Sequence, residues 1–148
     1  MPKVHPPATV GGSPDNIEAA FYEAMRSADI GKLMACWADE DEIVCVHPGG
    51  PRLMGAGAIR AAFDLMFVNG NIQVWPEGIC QIESLTSVVR SVRERIEVRT
   101  DAGLREAYVI ATNVYHKTAQ GWRMVVHHAS PGTAPQARDV NDVPHIIH

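Results

Sequence analysis

Apolar positions along the first third of the chain recur at helical spacing. Ile17, Ala20, Phe21, Ala24, Met25 and Ala28 follow an i, i+3, i+4, i+7 pattern for about three turns, which predicts an amphipathic helix. Ser13 is placed to cap its start, and Pro14 stands at the first helical position, where the missing N–H costs nothing. After Ala28-Asp29, a second short helix is expected over Ile30–Trp37, with Ile30, Leu33, Met34 and Trp37 on one face. The β-branched run Ile43 to His47 predicts a strand that stops at Pro48-Gly49-Gly50-Pro51. Gly57 precedes a third helix with Ile59, Ala62, Phe63, Met66 and Phe67 on its apolar face, ended by Asn69-Gly70-Asn71.

Beyond this point the pattern changes to β-branched and aromatic runs separated by turn residues. Strands are expected over Ile72–Trp75, Ile79–Glu83, Val88–Arg99, Arg105–His116 and Trp122–Ala129, with turns at Asp101-Ala102-Gly103 and Thr118–Gly121. Helices first and hairpin-linked strands afterwards predict an α+β domain, a curled antiparallel sheet with its helices on one face.

At 148 residues the chain fits one domain. We expect a flexible lead over residues 1–13, the domain over 14–131 and a tail over 132–148, in which Val140, Val143, Ile146 and Ile147 would dock on a neighbouring subunit or stay mobile. No apolar run approaches the ~20 residues of a bilayer span, so a soluble protein is expected. The first residues lack the apolar segment of a secretory signal. Cys36, Cys45 and Cys80 are odd in number and far apart, which implies neither a disulfide framework nor zinc, and a reducing cytoplasm is the simpler home. A formal net charge of −4 offers phosphate backbones no attraction, so nucleic acid is not an expected partner.

Three patterns carry a family resemblance: Ser27-Ala28-Asp29 through Leu33 and Trp37 to Asp39; His47-Pro48-Gly49-Gly50 followed by Gly55 and Ile59; and Thr112-x-Val114-Tyr115, Gly121-Trp122-Arg123 and Val126-His127-His128-Ala129-Ser130. In this order they resemble the nuclear-transport-factor-2-like superfamily, most closely its SnoaL-like branch, over about Asn16 to Ser130. The resemblance implies a cone in which a curved sheet and three helices enclose a pocket. It also implies relatives that include isomerases, cyclases, dehydratases and assembly domains on one scaffold.

The resemblance puts His47 on the pocket wall, where ketosteroid isomerases carry an aspartate base. Strand parity agrees, because Ile43, Cys45 and His47 share a face. An imidazole there could serve as general acid or base, or could simply be hydrogen-bonded to the Pro-Gly loop. The isomerases' oxyanion-stabilising tyrosine and aspartate fall near Phe21 and Thr112, so a replacement donor would come from Tyr22, Tyr108 or Trp75. Trp37 and Met66 are further lining candidates, with core packing as their alternative.

Regular alternation puts Trp122, Met124, Val126, His128 and Ser130 on one face. The resemblance points to His128 and Ser130 as the positions matching the family's terminal His-x-Ser, His128 having a pocket role or a structural or subunit-contact one, with His127 facing inward only if the parity is reversed. Kinase association domains of the family carry arginines where this chain has Asn113 and Ala129. Glu94 and Glu97, among arginines, read as a solvated strand face. The expected function is binding of a small apolar or aromatic molecule, with His47 as the acid/base of a cofactor-independent isomerase, cyclase or hydro-lyase. The alternative is a non-catalytic binding or assembly domain. Either would form a homodimer through the outer sheet face, which otherwise exposes an apolar patch. No metal is expected.

Overall fold

The computed structural model describes residues 12–132 and 139–140. Most of the predicted lead and tail thus lies outside the described residues. Helix α1 spans Pro14–Ser27, with the Ser13 side chain accepting from the Asn16 N–H and Pro14 in the first turn. It ends at Ala28, whose left-handed backbone (φ 53°) is uncommon for a residue with a Cβ.

Helix α2 covers Ile30–Ala35 and is shorter than expected. Trp37 has left the helix and forms a parallel bridge to Met124, so the chain turns onto the sheet there instead of completing another turn. Strand β1 is Val44–Val46, and β2, Arg52–Met54, follows directly on the Pro48–Pro51 turn segment, in a stretch for which no element was expected. Helix α3 spans Ala56–Val68.

Four long strands follow: β3 Val74–Glu83, β4 Ser87–Thr100, β5 Gly103–Thr118 and β6 Gly121–Gly132. The two strands expected over residues 72–83 are one. The chain passes through Gly78 (φ 55°) at a register shift between Glu77 and Cys80, where a Cβ would come within 2.9 Å of the Arg93 guanidinium. Pro76 is tolerated because β3 is a sheet edge.

The strand order is β2-β1-β6-β5-β4-β3 in one curved, unclosed sheet. Its long strands are antiparallel as expected, but β1 pairs with β6 in parallel, with Cys45 opposite His127. That pairing joins residues about 80 positions apart and has no local sequence signal.

Alternation in the ladder sorts side chains cleanly. Val88, Arg90, Val92 and Glu94 of β4 face inward with Val109, Ala111, Asn113 and Tyr115 of β5, and all are buried. Helix α1 covers this inner face with Ile17, Phe21, Ala24 and Met25, and Ile59 and Phe63 of α3 complete the core. At the usual stabilisation of about 25 cal/mol per Å² of apolar surface, these aromatic and aliphatic contacts are the main force holding helices to sheet.

Candidate functional site

His47 follows β1, on the same side as the fully buried Ile43 and Cys45. Its ring is half-buried and stands edge-on to Phe63, with centroids 4.8 Å apart. Loss of water lowers its pKa from the ordinary histidine value, so the neutral imidazole is favoured. Its Nε2 lies 3.8 Å from the Cys45 thiol, which burial pushes up to about 12 and so keeps protonated.

Behind His47 is His127, at 6.4 Å between ring centroids and only 2% exposed. His128, the predicted lining residue, is exposed on the other face. The alternation is broken by a bulge: Tyr115 pairs with Met124 and Val114 with Val126, leaving Val125 unpaired. Met124 and His127 therefore both point inward although three residues apart.

His127 belongs to a buried polar network hung between α1 and the sheet. Its Nδ1 is 2.6 Å from Asn113 Oδ1, and its Nε2 is 3.8 Å from Glu94 Oε2. The Tyr22 hydroxyl donates to Glu94 Oε2 at 2.7 Å and accepts from Asn113 Nδ2 at 3.0 Å. Glu18 accepts from Asn113 Nδ2, from the Tyr115 hydroxyl at 2.7 Å and from Arg90 Nε at 3.1 Å. Arg90 also reaches Asp15 and Gln81. Burial raises the Glu94 pKa to about 7, against a lowering by the Tyr22 hydrogen bond. Burial lowers that of His127 to about 3, helped by the neighbouring His47 and His128.

Glu94 was read from the sequence as a solvated carboxylate, and the structure corrects this: it is 5% exposed. The signal was present, because Glu94 shares period-2 parity with Val88, Val92 and Ile96. The arginines on either side drew the reading toward an ion-paired surface. Glu97 does lie in such a ladder, accepting from Arg95.

Of the other expected lining residues, Tyr22 is in the network, and Trp37 is buried edge-on to Phe21, with no hydrogen-bond partner for its Nε1–H among the described residues. Met66 packs half-buried against the core. Trp75 and Tyr108 are elsewhere. Both lie across from Arg95 on the outer face, Trp75 between the Arg26 and Arg95 guanidinium groups and Tyr108 donating to Glu106. Thr112 is likewise on the outer side, and the interior phenol hydroxyls are those of Tyr22, adjacent to Phe21, and Tyr115. No group of three or more metal-ligating side chains occurs among the described residues, and no described helix is long and apolar enough to cross a membrane.

A family model described as a SnoaL-like domain matches residues 15–134. Among solved structures, a candidate calcium/calmodulin-dependent protein kinase type II association domain from Thiobacillus denitrificans is 35% identical (TM-score 0.76; 84% of this chain, 98% of that one). A candidate dehydratase of the NTF2-like family from Streptomyces avermitilis is 30% identical (TM-score 0.71; 82% and 100%). An NTF2-like protein with a cystatin-like fold from Novosphingobium aromaticivorans shares the fold at 15% identity (TM-score 0.68; 81% of each chain). No curated protein matches the sequence.

Proposed function

The chain belongs to the SnoaL-like domain family, and from that premise we propose that it binds a small apolar or aromatic molecule beside His47 and moves a proton on it. The reaction class is cofactor-independent isomerisation, cyclisation or dehydration. The observation that carries this reading is the placement of His47 edge-on to His127 at 6.4 Å, with His127 in turn beside the buried acid Glu94 and the apolar rings of Phe21 and Phe63 packed against the two histidines. A neutral imidazole partly shielded from water is a competent base near pH 7. The 30% identity to a candidate dehydratase supports the same class.

The test is a thermal-shift screen of small aromatic hydroxy and carbonyl compounds, followed by turnover assays of those that bind. His47→Ala is expected to lower turnover by about 10²–10⁴-fold, the usual contribution of one general base. Unchanged turnover would remove the reading.

A second reading is assembly, favoured by the 35% identity to a candidate association domain. It pairs two copies through the outer sheet face, where Ile110, Val114 and Val126 are only half-covered. Light scattering that finds a monomer at micromolar concentration would count against it. A cytoplasmic home fits the three cysteines, all unpaired and two of them buried.

A further inference from the structure

The directions of the buried hydrogen bonds place the protons of the network. Asn113 has two N–H protons, one directed to Glu18 Oε2 and the other to the Tyr22 oxygen. This orientation is fixed, since turning the amide over would set its oxygen against the Glu18 carboxylate that Arg90 holds. Asn113 Oδ1 must therefore accept, so His127 carries its ring proton on Nδ1 and leaves a lone pair on Nε2. That lone pair faces Glu94 Oε2 at 3.8 Å. An ionised Glu94 would bury a carboxylate against it, while Arg90, the cation on the same face of β4, is engaged by Glu18, Asp15 and Gln81.

We infer that Glu94 is the proton-holding group of this site: its carboxyl carries a proton opposite the bare Nε2 of His127, and it serves as the acid partner of His47 toward an uncharged ligand bearing a hydroxyl or carbonyl oxygen. This rests on the acid/base reading above. The groups that face Glu94 are Tyr22 and Glu18 from α1, Cys45 from β1 and His127 from β6, with the apolar Val109 opposite it on β5 and His47 beyond His127. None is a fixed cation, and burial together with Glu18 holds the proton on the carboxyl up to a pKa of about 7. In a dehydration, His47 takes the proton from carbon and the Glu94 proton goes to the departing hydroxyl. The C–H electron pair becomes the new C=C bond as the C–O bond breaks and water leaves. The imidazolium then returns a proton to the Glu94 carboxylate, which resets both groups.

Infrared spectra of the full chain are expected to show a protonated-carboxyl band that fades as pH rises through about 7 and is lost in Glu94→Gln. Nitrogen-15 NMR of His127 is expected to show the neutral Nδ1–H tautomer over the same range. Tyr22→Phe, which removes the donor that favours the ionised form, should move the band's midpoint upward, and it keeps the test decisive if Glu94→Gln fails to fold. A band that survives Glu94→Gln and ignores Tyr22→Phe, or a His127 ring protonated on both nitrogens, overturns the inference. A larger thermal shift with 2-naphthoate than with 2-naphthol overturns the ligand class. The spectroscopic arms need no ligand, so a failed screen would sink the catalytic reading while leaving the proton assignment standing, and the reverse also holds.

Discussion

Strands β4 and β5 carry the same residue types on their two faces with opposite consequences. Inside, Arg90, Glu94, Asn113 and Tyr115 join Glu18 and Tyr22 in a network closed off from solvent. Outside, Arg93 and Arg95 meet Glu77, and Arg95 also meets Glu97 and Glu106, in a ladder open to water. Coulomb attraction in water is weak and screened, so the outer ladder adds little. In the interior every partner is obligatory, since a buried charge or donor left alone costs several kcal/mol. Proximity in sequence therefore says little about what an arginine or glutamate does. Strand parity decides it.

The largest expected effect comes from breaking the interior ion pair. Arg90→Met leaves Glu18 buried without its cation and should destabilise the protein by about 3–5 kcal/mol in urea denaturation. A loss no larger than that of an outer-face substitution would erase the contrast between the faces.

The next effect is on pH dependence, where the two buried groups oppose each other. Glu94, with its pKa raised from 4.5 to about 7, adds stability at low pH that is lost as pH rises through about 7. His127, lowered from 6.5 to about 3, adds stability at high pH that is lost as pH falls below 6.5. Between 4.5 and 6.5 the contributions run in opposite directions, so unfolding free energy should change little there. Glu94→Gln should make the protein more acid-labile in that window, and His127→Gln should make it more stable as pH falls. Equal slopes in both variants would mean that the two groups are not coupled to folding as described.

The smallest effect belongs to the ladder outside. Arg95→Gln should leave the denaturation midpoint within experimental error, and what change there is should vanish in high salt.

Much of the fold, though not this contrast, was legible in the amino-acid sequence. The capped helix at Ser13-Pro14, the helix-then-strand order and the inward parity of His47 all follow from short-range periodicity, and the structure has them. The same alternation, applied to Val88, Val92 and Ile96, would have brought Glu94 inside. What local pattern does not carry is the parallel pairing of β1 with β6 and the bulge at Val125, which depend on how distant strands meet. Those two features decide that His127 is the histidine behind His47. Tyr108 and Trp75 were misplaced for a related reason, because an aromatic residue in a strand suits either face until a register partner is known.

The unpaired Val125 also makes β6 unusually forgiving of a change in length. Elsewhere along a regular ladder, dropping one residue turns every later side chain inside out. Removing one of the two adjacent valines would instead straighten the strand, with Tyr115 still opposite Met124 and Val114 still opposite the remaining valine. The interior histidine would keep its side of the sheet, so related chains one residue shorter at this point can conserve the same chemistry without realignment of anything beyond it.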